Sequence, residues 1–152
     1  MSKKEINFYQ IDDVVTKSLA PLLIKVLEDK KKALIFCADK AKIKEIDDSL
    51  WTFGKNRFIA HLTIFEKDIE QISNWKRQPI LLSNEEENKN DADYLVIIDE
   101  PSNPFVSSFK RVFYFYDSSA IENVKKFAKK MGEDFKIKSY KKIDTKWQES
   151  AL

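Results

Sequence analysis

Only two glycines, Gly54 and Gly132, occur in 152 residues. That excludes a Walker A loop and a G-x-G-x-x-G fingerprint, each of which needs at least two closely spaced glycines. Cysteine and histidine are single, Cys37 and His61, so neither a disulfide framework nor a Cys/His zinc cage can form. No apolar run approaches the roughly 18–20 residues that cross a bilayer. The opening Met-Ser-Lys-Lys-Glu is charged and has no signal-type apolar stretch behind it, and a lone cysteine suits a reducing compartment. The expectation is a soluble, cytoplasmic protein with no membrane partner. Excess charge is scarce too: 27 Lys and Arg face 25 Asp and Glu, a net of +2, too balanced for a protein that coats DNA indiscriminately.

What is present suits one globular domain spanning residues 1–152, and 43% apolar residues supply a core. The runs Ile6 to Ile11, Ala33 to Ala38, Gln78 to Leu82, Tyr94 to Ile98 and Val112 to Tyr116 read as strands. Helical periodicity joins Val15, Leu19, Leu22, Leu23, Val26 and Leu27, with Asp12 or Asp13 as its cap and Pro21 expected to kink or split it. A second helix opens at Asp39 and carries Ile43, Ile46, Leu50 and Trp51 on one face, with Gly54 placed to stop it. A third runs from Ile121 to Met131. Phe58 to Ile64 reads as a short strand, Ser83 to Asp91 as a polar loop, and Ile137 to Ile143 as an extended tail with Trp147 near its end. Strands alternating with helices predict a three-layer α/β domain, a mostly parallel sheet with helices on both faces.

Charge is unevenly spread. Residues 85 to 100 hold seven acids against Lys89, while residues 123 to 142 hold eight lysines against Glu133 and Asp134. The basic segment predicts an acidic partner.

Several constellations could carry chemistry. Leu95-Val96-Ile97-Ile98-Asp99-Glu100 has the shape of a Walker B strand, but its phosphate loop is missing; the plain alternative is two acids solvating a strand end. Asp39, Asp99 and Asp117 each follow an apolar strand and would meet at one sheet edge. There they could hold Mg²⁺ for phosphotransfer or nucleotide binding, or each could cap the turn after it. His61 sits in an apolar stretch and reads as a hydrogen-bonded residue at a core edge, and Cys37 as an inert core residue. On the last helix Phe127 lies between Lys125/Lys126 and Lys129/Lys130. It falls at the border of the Ile121, Val124, Ala128, Met131 stripe, where a ring can be half exposed. Aromatics rimmed by lysines suit a peptide with an apolar end and acidic flanks, or single-stranded nucleic acid; the alternative is core rings beside a solvated lysine face.

Asp47-Asp48-Ser49-Leu50-Trp51-Thr52-Phe53, then Phe58-Ile59-Ala60-His61, then Gln78-Pro79-Ile80-Leu81-Leu82 resembles the chi subunit of bacterial DNA polymerase III holoenzyme. That family shows D-x-x-L-W-x-F, F-x-P-H and Q-P-[IV]-L-L in this order. Phe8-Tyr9 matches its F-Y-x-L opening, and Tyr140 and Trp147 resemble its tail aromatics. Ala60 replaces the usual Pro, and Val124 falls where an Arg is common in the last helix. The resemblance implies a Rossmann-like fold without a phosphate-binding loop, no catalytic activity and no cofactor or metal. It implies an adaptor that links the clamp loader to single-stranded DNA-binding protein by gripping that protein's acidic C-terminal tail, with the psi subunit as a second partner where one exists and DNA reached only indirectly. Trp51, Phe58 and Phe127 would line a pocket for the tail's terminal aromatic. Lys125 or Lys126 would pair with its carboxylate, and Lys129 and Lys130 would draw in its acids.

Overall fold

The computed structural model describes residues 4–12, 14–52, 59, 61–65, 75–143 and 146–152. Their strands form one sheet. In chain order the elements are β1 (Lys4–Gln10), α1 (Val15–Glu28), β2 (Ala33–Phe36), α2 (Lys40–Thr52), β3 (Leu62–Thr63), β4 (Ile80–Ser83), β5 (Tyr94–Ile97), α3 (Asn103–Ser107), β6 (Arg111–Tyr116), α4 (Ile121–Met131), β7 (Phe135–Ile143) and β8 (Lys146–Glu149). The sheet order is β3-β4-β2-β5-β6-β1-β7-β8. Every pairing is parallel except β7 with β8.

Two-residue alternation sorts the strand side chains between two cores. Ile6, Phe8, Leu34, Phe36, Leu95, Ile97, Val112 and Tyr114 face α3 and α4. Ile35, Val96, Phe113 and Phe115 face α1 and α2, meeting Leu19, Leu23, Ile43, Ile46 and Leu50. The three-layer α/β architecture read from the sequence is therefore present, with two helices on each face.

Four local details depart from expectation. At the start of helix α1 Val14, not Asp12, occupies the N-cap position and makes no side-chain cap bond of its own; Asp13, the other expected cap, lies outside the described residues. The helix also runs unbroken through Pro21, which sits on its exposed side. The tail expected at Ile137 is a full sheet strand, β7, paired with β1 from Lys4↔Phe135 to Gln10↔Lys141. Helix α3, five residues beginning Asn103-Pro104, was not legible as a helix. Asp39 does cap α2, its Oδ1 accepting from the Ala41 N–H at 2.9 Å.

The polar loop 83–91 is tied down by one buried side chain. Asn90 Nδ2 donates to the Ala33 carbonyl (3.1 Å) and to the Gln78 carbonyl (3.0 Å), joining the entries of β2 and β4. Losing a buried, doubly used donor exposes both carbonyls to an unsatisfied interior. Asn90→Ala should lower unfolding free energy by about 1–3 kcal/mol, read as a drop in the urea midpoint with an unchanged m-value. An unchanged midpoint would show that the loop is held by other contacts.

Candidate functional site

Parallel α/β sheets open a crevice beyond the carboxyl ends of two neighbouring strands whose following helices diverge to opposite faces. Strands β1 and β6 are such neighbours: β1 leads into α1 on one face and β6 into α4 on the other. Strands β2 and β5 repeat the arrangement with α2 and α3. A cavity of about 700 Å³ lies at this edge. Val14, Val15 and Thr16 border it from the start of α1, Lys42, Glu45, Ile46 and Ser49 from α2, and Asn123, Lys126, Phe127 and Lys130 from α4. Ile98, Asp99, Glu100, Tyr116 and Asp117 form its floor and rim.

The expected carboxylate cluster is not a metal cage. Asp39 and Asp117 are each spent on a cap, Asp117 Oδ1 accepting from the Ser119 N–H at 2.9 Å. Asp99 reaches back to β2: its Oδ2 accepts from the Cys37 thiol (3.1 Å) and the Ala38 N–H (3.0 Å), and its Oδ1 lies 3.4 Å from Lys42 Nζ. Among the described residues no three His, Cys, Asp or Glu side chains gather where they could hold a metal ion. The N-terminus of α2, where a nucleotide phosphate would seat, already carries the Asp39 carboxylate.

Burial raises the Asp99 pKa, but the Cys37 thiol, Lys42 and the Ala38 N–H together outweigh it, and the carboxyl stays below its ordinary value. The Cys37 thiol is pushed up to about 12 by burial and by the neighbouring Asp99, which keeps it a neutral donor. Across the cavity, burial raises Glu100 against the pull of its Tyr114 hydrogen bond and of Lys130.

His61 is buried at 3% exposure, as read from its apolar context. Its Nδ1 lies 2.7 Å from the Ile59 carbonyl and its Nε2 2.8 Å from Asp47 Oδ1, and it does not border the cavity.

The aromatics separate. Phe127, expected at a half-exposed border, is 2% exposed. Its ring meets Phe8 and Tyr114 edge-on at 6.2 and 5.4 Å, because the apolar stripe of α4 is centred between Val124, Phe127, Ala128 and Met131 while Ile121 is only partly covered. Trp51, expected on the buried face of α2, is 48% exposed. It lies about 100° around the helix from Leu50. Its Nε1–H bond to Asp47 (3.0 Å) turns the indole over His61, ring centres 4.3 Å apart. Trp51 thus does not share a pocket with Phe127. Phe58, like Gly54, lies outside the described residues. Lys125, Lys126, Lys129 and Lys130 are all exposed on α4, but only Lys126 and Lys130 border the cavity. Val14, Glu45, Ser49 and Asn123 were missed. The α2 members follow Lys42 at helical spacing, a polar stripe legible in the sequence beside the Ile43, Ile46, Leu50 face.

Residues 3–132 match the family described as DNA polymerase III chi subunit, HolC. The chain belongs to the DNA polymerase III chi subunit family. It is similar to the "Probable DNA polymerase III subunit chi" of Rickettsia prowazekii (strain Madrid E), 26% identical over 141 residues, covering 86% of this chain and 81% of that one. Its fold is similar to the C-terminal domain of S. cerevisiae Dbp5, solved with Gle1 and IP6. That match has 14% identity, covers 92% of this chain and 90% of that chain, and gives a TM-score of 0.61. A DEAD box protein from Methanococcus jannaschii also shares it, with 16% identity over 90% of this chain and 42% of that chain and a TM-score of 0.62. These two likenesses are of fold. Family membership makes the chain an accessory protein of DNA replication. No helix among the described residues is long and apolar enough to cross a membrane.

Two outcomes follow from this geometry. Phe127→Ala should destabilise the fold by about 3–5 kcal/mol, the usual cost of emptying a buried phenyl site, measured by urea unfolding; a cost under about 1 kcal/mol would mean that the ring is not packed as described. Asp99 has a lowered folded-state pKa, so its stabilisation is present above the ordinary carboxyl value of 3.8 and is lost as pH falls below it. The midpoint gap between wild type and Asp99→Asn should therefore shrink from about pH 7 to about pH 3. A pH-independent gap would contradict it.

Proposed function

We propose that this chi-family chain is a non-catalytic replication adaptor at work in the cytoplasm. It joins the clamp loader to single-stranded DNA-binding protein by gripping that protein's acidic C-terminal tail. The supporting observation is α4: four exposed lysines against one acid, Glu122, beside a cavity with aromatic walls. The ion pairs of the described residues lie elsewhere, at Lys42–Asp99, His61–Asp47, Lys89–Glu85, Arg111–Glu5 and Lys138–Glu5. None of these pairs uses an α4 lysine, although Lys130 acts on the nearby Glu100.

The apolar end of the tail enters the cavity between Lys126 and Lys130. Of the two candidates for its carboxylate, Lys126 is the one that borders the cavity; Lys125 points to solvent. Lys125 and Lys129 attract the upstream acids. Trp51 takes no part in this grip. The psi subunit, where present, is the second partner, and this grip reaches DNA only through the tail's owner. No cofactor is needed.

A tail peptide with a free C-terminus tests this by fluorescence anisotropy. Lys126→Ala, or amidation of the peptide, should each weaken binding about tenfold or more, the worth of a hydrogen bond to a charged group. Amidation should add little in the Lys126→Ala background. Lys125→Ala with Lys129→Ala should slow association and flatten the salt dependence while barely changing dissociation. If amidation leaves wild-type affinity unchanged, the carboxylate is not recognised and the assignment to Lys126 falls.

A further inference from the structure

The core beneath α1 and α2 ends at Tyr9, the last ring packed against it. Beyond Tyr9, on the same side of the sheet, β7 and β8 contribute no residue to that core. Alternation places Lys136, Lys138, Tyr140 and Lys142 on this side of β7. Their register partners are Glu5, Asn7 and Tyr9 on β1 and Glu149 and Trp147 on β8. Tyr9 stacks on Tyr140 (ring centres 5.2 Å, 15° between planes), and Trp147 meets Tyr9 edge-on at 5.1 Å. All three rings are only partly buried.

The charges around this shelf are mainly positive. By register Lys136, Lys138 and Lys142 stand on this face with Arg111, while Lys141 and Lys146 alternate to the other. Two described acids stand on the shelf face: Glu149, opposite Tyr140, and Glu5, which is shared by Arg111 (3.4 Å) and Lys138 (3.6 Å) and so neutralises only one of them. Lys142 Nζ sits 5.6 Å from the Trp147 ring centre.

We propose that this shelf is a binding surface for single-stranded DNA. Cations spaced along a strand track a phosphate backbone, and partly exposed rings between them take unpaired bases whatever their sequence. A duplex keeps its bases stacked inward and satisfies only the lysines. A peptide of acids with no apolar anchor would likewise leave the rings unused. The shelf is on the face of the sheet opposite α4, so it is independent of the proposed tail grip. The chain would then touch the strand directly while holding a protein bound to that strand.

The test is anisotropy of a labelled oligo-dT with the full chain, against duplex of equal length, at several salt concentrations. Wild type should prefer the single strand, with log K falling linearly in log salt. Lys136→Glu with Lys142→Glu should weaken oligo-dT binding at least tenfold and reduce the salt slope. Trp147→Ala should weaken it fivefold or more, the scale of one lost base stack. If Trp147→Ala lowers the melting temperature, Trp147→Leu replaces it in the comparison. Tail-peptide affinity should be unchanged in all of these variants. The proposal is overturned if wild type does not bind oligo-dT at low salt. It is also overturned if duplex binds equally well, or if binding survives the shelf variants and is lost in Lys126→Ala with Lys129→Ala.

Discussion

The placing of β1 governs the molecule. It is the first strand made, yet it lies between β6 and β7, paired along six residues with the former and seven with the latter. Because it is parallel to β6 and its helix leaves to the other face, the two connections part at the carboxyl edge and open the cavity. Because it carries Phe8 on one side and Tyr9 on the other, it also links the two faces. Phe8 anchors Phe127 under α4, and Tyr9 ends the opposite core and begins the aromatic shelf. A one-residue slip of β1 would exchange those faces and undo both surfaces at once.

The cavity occupies the place where related architectures hold nucleotides, and the local chemistry explains why this one is unsuited to them. A phosphate needs open backbone N–H groups at a helix start and glycines that let it approach. Here the β2–α2 connection has no glycine, and its N–H at Ala41 is already taken by Asp39. Asp99 is turned away toward Cys37, Ala38 and Lys42. At the start of α2 the acid that invites a metal reading, Asp39, is the group that occupies the N–H a phosphate would use.

Much of the architecture was legible because it rests on periodicity. Continuous β-branched and aromatic runs marked β2, β5 and β6, and a 3.6-residue repeat marked α4. The helix α3 escaped because five residues are too few to show a period, and Pro104 reads equally well as a loop. Strand β7 looked like a tail because its lysines alternate with apolar residues and only the neighbouring β1 supplies the other half of its burial. The site was legible at the level of residue type and not of grouping. Lys126 and Lys130 border the cavity, Lys125 and Lys129 do not, and Trp51 and Phe127 part company. Trp51 is drawn aside by a hydrogen bond to Asp47, and Phe127 is drawn inward by Phe8 and Tyr114. Asp47 lies four residues back on the same helix and is within reach of helical spacing, whereas Phe8 and Tyr114 lie on distant strands and are not.

The lysines of α4 are not explained by folding. Lys125 with Lys129 and Lys126 with Lys130 are like charges four residues apart, each pair costing a helix about 0.2–0.5 kcal/mol. Only Lys129 and Lys130, in the last turn, recover part of this from the helix dipole. Pairing Glu122 with Lys126 offsets one such term at most. The stability of α4 comes instead from its buried stripe of Val124, Phe127, Ala128 and Met131. Stripe and lysines therefore do separate jobs on one helix: the first holds it to the sheet, and the second gathers positive charge that Glu122 and the nearby Glu100 offset only in part. For the tail grip proposed above, relief of that repulsion on binding would add to the affinity.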